Sequence, residues 1–263
     1  MSRSFLQSAL LPVPHGFSTR EGGVSEDAFA SLNLGFFVGD SRERVEENHR
    51  RLAAQVGALP GALHTVRQVH GDRVVEAGQG ASTAEALLAP EGEADGVWTE
   101  RPEHWVGVGT ADCVPVLLVD PDGQRVAAVH SGWKGTEARI VARAVEALAA
   151  RGSRAGRLLA AVGPCIQRCC YEVSEELAGR FTSGFGPHVV GREAGARPHL
   201  NLSLAVRETL LGAGLLAERV DVLQACTACD ARRFFSHRRD AGRTGRHLNF
   251  VLHRFPAAPG PIS

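Results

Sequence analysis

Cys113, His130 and His70 are the residues of this 263-residue chain whose types and placing point most directly to chemistry. Each sits where an apolar run meets a glycine-containing turn, the kind of place at which a side chain escapes the core. One cysteine and two histidines form a zinc set with an open fourth position, which a structural site would normally fill. Such an opening brings bound water to a pKa of about 7 or polarises a substrate oxygen. Copper is the rival ion, because two histidines and a cysteine with a weak axial methionine form a blue-copper set. The only methionine is Met1, and no His-x-His pair occurs among the eleven histidines, so zinc is the better reading. A metal-free arrangement uses the same residues, with Cys113 as nucleophile, His130 as its base and Asp112 orienting the ring.

The stretch from Val106 to Thr136 must position this set. Two apolar runs, VPVLLV and RVAAV, flank Asp120-Pro121-Asp122-Gly123, whose proline and glycine suit the bend of an antiparallel hairpin. A tight turn that opposes Asp120 and Gly123 also opposes Cys113 and His130, with Cβ atoms about 5 Å apart on one face. A bulged three-residue loop would slip the register by one and send the two side chains to opposite faces. After His130, SGWKGT leads into EARIVARAVEALAARG, where Ile140, Val141, Ala144, Val145 and Leu148 mark a buried helical stripe. The free amides at that helix start, residues 132 to 136, make an anion seat beside the pair.

Elsewhere Phe17 to Arg20 reads as a short strand ending at Gly22-Gly23, and LHTVRQVHG as a strand that delivers His70. Ser41 caps a helix that Gly57 stops, with Val45, Leu52, Ala53 and Val56 on one face. Residues 76 to 95 read as loop and DGVWT as a strand. Leu158 to Val162, VDVLQACT and HLNFVLH are further strands; EELAGRF, capped by Ser174, and LSLAVRETLLGAG are helices. Arg20, Lys134, Arg238 and Arg239 are candidates for holding phosphate or carboxylate, although residues 232 to 246 hold six arginines and a solvated loop accounts for most of them. Cys226-Thr227-Ala228-Cys229 is a CxxC that Cys165, Cys169 and Cys170 could complete as a second metal site. Without a partner pair of matching spacing, buried free thiols are the better account.

Lys and Arg balance Asp and Glu at 29 each, so no broad field draws the chain to nucleic acid or an anionic membrane; a small-molecule partner is expected. No apolar run reaches membrane-spanning length and no export signal opens the chain. Six cysteines without an export signal suggest reduced thiols in the cytoplasm. No linker or internal repeat divides residues 1–263, which are expected to form a single domain.

FSTREGGVS, SLNLG, RQVHGD, TADCVPVLLVD, VAAVHSGWKGT, AVGPCIQRCCYEV and FFSHRRDAGRTGR together resemble the YfiH family, also called the multicopper polyphenol oxidase or laccase-domain family, from about Phe17 to Leu252. The resemblance implies an α+β fold of two mixed sheets packed together with helices outside, α/β/β/α, similar to the cytotoxic necrotising factor catalytic domain. It implies His70, Cys113 and His130 as zinc ligands. The activity implied is phosphorolysis of adenosine, inosine, guanosine or methylthioadenosine to base and ribose 1-phosphate, with adenosine deamination beside it. Catalytic candidates are Cys113, His130 and Asp112; substrate- or phosphate-binding candidates are Arg20, Asn33, Asn48, Lys134 and Arg239; Asp112 and His49 are the candidate proton donors. Two positions depart from the family pattern, which usually has Asn-Arg at Asn48-His49 and arginine at Lys134; lysine keeps the charge and loses the two-pronged geometry. A Cys-His hydrolase (deamidase or peptidoglycan-precursor editing), a copper-dependent polyphenol oxidase and a non-catalytic binding module are the alternatives.

Overall fold

A computed structural model describes residues 4–78, 90–192 and 195–256. In chain order its elements are strands β1 (Phe5–Leu6) and β2 (His15–Ser18), helix α1 (Arg42–Val56), strands β3 (Leu63–His64), β4 (Val74–Glu76), β5 (Gly96–Thr99), β6 (Trp105–Thr110), β7 (Val114–Asp120) and β8 (Arg125–Ser131), helices α2 (Trp133–Glu137) and α3 (Ile140–Ala149), strand β9 (Leu159–Val162), helix α4 (Glu175–Phe185), strands β10 (Val190–Gly191) and β11 (His199–Leu200), helix α5 (Leu202–Gly212) and strands β12 (Val220–Val222) and β13 (His247–Leu252). A five-stranded mixed sheet runs β1-β2-β13-β6-β3, and a six-stranded mixed sheet runs β12-β9-β7-β8-β5-β4.

Period-two alternation along the central strands decides how the layers stack. Leu117 and Val119 of β7 join Val106, Val108, Phe17 and Val251 from the other sheet in the core between the sheets. Val116 and Leu118 point the other way, against Ile140, Val141, Ala144, Val145 and Leu148 of α3 and the apolar faces of α4 and α5. Burying each such side chain contributes about 1.5–3 kcal/mol, so a strand apolar on both faces is stable only between two layers. On the outer face of the five-stranded sheet, Phe250, Trp105 and Leu248 receive Leu52 and Ala53 of α1. The result is the expected α/β/β/α order. No helix among the described residues is long and apolar enough to cross a membrane.

Helix ends follow the capping chemistry read from sequence. Ser41 accepts from the Arg44 amide, Gly57 closes α1 with φ 70°, and Ser174 accepts from the Leu177 amide. The helix after SGWKGT is broken in two, because Arg139 adopts φ 62° and directs its guanidinium to Gly184 O and over the Phe185 ring at 3.6 Å. The strand expected over LHTVRQVHG ends at His64: Thr65 and Arg67 bond to the 91–92 segment, and His70 takes φ 60°. The strand expected at Phe17 to Arg20 runs instead from His15 to Ser18. Of the 76–95 loop, residues 79–89 lie outside the described residues, and Val74–Glu76 pairs with β5.

The hairpin register departs from the tight-turn reading by two residues. Asp120 opposes Arg125 and Pro115 opposes His130. Asp120 Oδ1 accepts from the Asp122 and Gly123 amides, and Gln124 at φ 49° completes a four-residue loop. An even slip preserves the face of every side chain. Cys113 and His130 therefore become diagonal neighbours on one face instead of facing partners.

Candidate metal centre and its cleft

His70, Cys113 and His130 bring one ligand atom each to within 4.8 Å of one another. Cys113 precedes β7, His130 ends β8, and His70 arrives from the turn after β3, its ring meeting that of His130 edge-on at 4.8 Å. Gly132 makes room for them: a Cβ there would lie 3.1 Å from His70 Cδ2 and 3.2 Å from Cys113 Sγ.

One buried carboxylate sets both histidines. Asp95, just before β5, accepts from His130 Nδ1 at 2.8 Å through Oδ1, which directs Nε2 toward Cys113. The same carboxylate accepts the three successive amides of Val69, His70 and Gly71 at 2.7–3.1 Å. Burial alone would raise the Asp95 carboxyl, but His130 and these amides hold it below the usual carboxylate range. A histidine whose far nitrogen is held by a carboxylate is the usual form of a metal-ligating histidine.

Charge within the set is equally directed. Burial would raise the Cys113 thiol, yet the charge and hydrogen bonds of His130 and then His70 bring it down to about 6. Burial would lower His130, but the Cys113 sulfur and Asp95 raise it to about 9. A thiolate with two ring nitrogens facing one point is a donor set that fits zinc and leaves a fourth position for a ligand from the cleft.

The set forms part of a cleft of about 990 Å³, of the size that takes a drug-sized or nucleoside-sized ligand. Phe36 and Phe37 stand on one wall, Phe37 being 86% exposed, with Tyr171, Trp133 and Ile166 among the other apolar groups. Arg238 and Arg246 bring positive charge to it. Arg238 lies over the Tyr171 ring at 5.2 Å, and Arg246 is held by the carbonyls of Thr244 and Gly245. His49 is buried beside Phe36, its ring stacked at 5.1 Å. Its Nε2 donates to Leu34 O, while Nδ1 has no partner among the described residues, and burial pushes it down to about 4 despite that bond. A neutral ring of that kind offers an acceptor, so it does not serve as the proton donor suggested by sequence.

Several residues singled out from sequence belong to the scaffold. Asp112 borders the cleft, but its carboxylate accepts from Thr227 Oγ1, Ser236 Oγ and the Arg238 amide. It fastens the 227–238 loop and does not orient His130; Asp95 does. Arg20 donates to Ala30 O and Ala231 O and lies over Phe235. Arg239 donates to Thr227 O, Ala228 O, Phe234 O and Asp240. Asn33 bonds to Gly35, Asp40 and the Arg246 amide, and Asn48 to Val24, Ser25, Ser31 and Asn33. Lys134 is exposed with its ammonium 5.5 Å from the Trp133 ring. None of these five lines the cleft. Asp95, Tyr171, Arg246 and the Phe36-Phe37 pair were not identified from sequence; only the adjacent phenylalanines in a glycine-flanked loop carried a local signal.

Comparison with known proteins agrees with the motif resemblance. The family model described as multi-copper polyphenol oxidoreductase laccase matches residues 14–254. The chain is 43% identical over 244 residues to a purine nucleoside phosphorylase of Deinococcus radiodurans, covering 92% of this chain and 89% of that one. It is 36% identical over 245 residues to adenosine deaminase RL5 from an unknown prokaryotic organism, covering 90% and 93%. The crystal structure of YlmD from Geobacillus stearothermophilus superposes with a TM-score of 0.88 at 31% identity, covering 96% of this chain and 100% of that one. With its sequence match and layered fold in agreement, the chain belongs to the multi-copper polyphenol oxidoreductase laccase family, the laccase-like YfiH family.

Proposed function

We propose that this protein is a zinc-dependent purine nucleoside phosphorylase that also deaminates adenosine. The observation that carries the reading is the convergence of His70, Cys113 and His130 in a cleft roomy enough for a nucleoside together with phosphate. The activities in the names of its relatives, purine nucleoside phosphorylase and adenosine deaminase, support it. A zinc ion held by these three residues would supply a Lewis acid with one position open to the cleft.

The chain's own residues then have separable tasks. Asp95 keeps the proton on His130 Nδ1, so that Nε2 stays a donor of electrons toward the ion site. Phe36 and Phe37 give a purine base an aromatic wall, with the buried His49 ring stacked on Phe36 and bonded to Leu34 O supporting it. Arg238, one of the four basic candidates read from sequence, and Arg246 hold phosphate in the cleft, in place of Arg20, Lys134 and Arg239. Positioning of this kind, with charge fixed before the substrate arrives, is what phosphorolysis of a glycosidic bond requires.

Incubation of metal-replete protein with adenosine and phosphate should give adenine and ribose 1-phosphate, separable by chromatography, and inosine from the deaminase activity. Absence of both products removes the reading. A second reading, a Cys-His hydrolase, is favoured by one observation: Cys113 and His130 form a thiolate–imidazolium pair. Hydrolase activity that survives complete chelation would favour it over the first.

A further inference from the structure

A second sulfur cluster lies outside the ligand set just described. Cys169, Cys170, Cys226 and Cys229 bring four sulfurs within 4.8 Å of one another, with Cys229 Sγ 3.5 Å from that of Cys169 and 3.3 Å from that of Cys170. We propose that these four cysteines bind a structural zinc ion as a closed tetrathiolate site. A tetrahedral centre with Zn–S bonds of about 2.3 Å places its sulfurs about 3.8 Å apart; the Cys229 separations of 3.5 and 3.3 Å lie slightly inside that value, and no pair is more than 4.8 Å apart. Cys229 Sγ lies near the sulfurs of both Cys169 and Cys170, where a disulfide would pair it with only one and a metal would use both.

At Cys226 the surroundings favour a thiolate. Cys226 Sγ accepts the Gln167 amide at 3.4 Å and the amides of Ala228 and Cys229 within the CxxC turn, bonds that favour the anionic sulfur. The Arg239 guanidinium donates to the carbonyls of Thr227 and Ala228, the two residues between those cysteines, and so places positive charge against the excess negative charge of four thiolates on one divalent ion. Cys165, Cys169 and Cys170 are the candidates read from sequence to complete this site, set aside there because Cys169 and Cys170 are adjacent instead of two to four residues apart. The account of these thiols as buried is also corrected: Cys169 and Cys229 are exposed, and only Cys165 is fully buried.

Zinc here would fasten two loops that build the cleft. Tyr171 follows Cys170, and Thr227, inside the CxxC, bonds Asp112 Oδ1 at 2.6 Å and, through its amide, Cys165 O at 3.1 Å. With all four positions filled by protein, the ion would have no place for substrate.

The test is metal stoichiometry on full-length protein purified under reducing conditions with zinc. Wild type should hold two zinc ions per chain, Cys226→Ser/Cys229→Ser one, and His70→Ala/Cys113→Ser one. Because the first variant could fail to fold, X-ray absorption on the second, which keeps all four cysteines, gives an independent reading: four sulfur neighbours at about 2.3 Å. In wild type, zinc should protect Cys169, Cys170, Cys226 and Cys229 from alkylation, and chelation should expose them. One zinc per chain in wild type, alkylation of the four indifferent to zinc, or an intact mass two hydrogens short from a disulfide would each overturn the proposal.

Discussion

Asp95 and Asp112 are two buried aspartates near the same ligands, and their amide substitutions should separate cleanly. In Asp95→Asn one oxygen becomes an NH2 group. If it replaces Oδ1, it faces His130 Nδ1 and the His70 amide; if Oδ2, it faces the Val69 and Gly71 amides. Either way two donors lose a charged acceptor, each loss being of the order of 1.5–3 kcal/mol. Part of that falls on stability and part on the ligands, whose second-layer partners typically govern metal affinity by about 10–100-fold, or about 1.4–2.7 kcal/mol. Asp95→Asn should therefore weaken zinc binding by about 10–100-fold in competition with a chelating dye, while retaining its circular dichroism spectrum. Asp112→Asn breaks the contacts to Thr227, Ser236 and Arg238 and should lower the melting temperature with zinc affinity nearly unchanged. Loss of zinc in Asp112→Asn with wild-type affinity in Asp95→Asn would show that the orienting role has been given to the wrong carboxylate.

Gly132→Ala should weaken zinc binding with little loss of melting temperature, since its methyl would crowd His70 and Cys113 but the backbone there, at φ −74°, accepts alanine; unchanged affinity by dye competition would refute it. Phe250→Ala, which removes edge-to-face contacts with Phe5 and Trp105 from a fully buried site, should cost about 3–5 kcal/mol in chemical denaturation. Buried neutral histidines make the fold sensitive to acid. His49 is pushed down to about 4 and His247 to about 3, both by burial, so the unfolded chain binds protons at these positions first as pH falls. Their stabilisation is complete above the unfolded value of about 6.5 and declines below it, by about 2 kcal/mol each at pH 5. Denaturation of wild type and His247→Gln across pH 7 to 4.5 should show a shallower decline in the variant.

What could be read from sequence was local. Ser41, Gly57 and Ser174 announced their helix ends because a cap involves only the three or four residues beside it in sequence. The stripe from Ile140 to Leu148 announced its buried face for the same reason. The hairpin was legible as a hairpin, and its error of two residues was harmless because an even slip keeps Cys113 and His130 on one face. Asp95 was illegible: its partners are 24 to 35 residues away, and nothing in the ADGVWT stretch distinguishes a histidine-orienting carboxylate from a strand-end one. Of the arginines, Arg238 does line the cleft, but type alone does not tell Arg239, whose donors meet backbone carbonyls, from Arg246, which also lines it.

Strand β13 lies between β2 and β6 in the middle of its sheet, although it is the last strand among the described residues. A ribosome therefore makes both neighbours more than a hundred residues before the strand that joins them, and until then each presents an open hydrogen-bonding edge. The six-stranded sheet has all its members by Val222 and needs nothing later to close. Synthesis from the amino end thus favours a half-built nascent protein that already carries His70, Cys113 and His130 but lacks the wall supplied by residues 237–248. A stalled or truncated product of that kind has adhesive strand edges and no finished cleft, so chaperone engagement during translation should persist until residue 252 has left the exit tunnel.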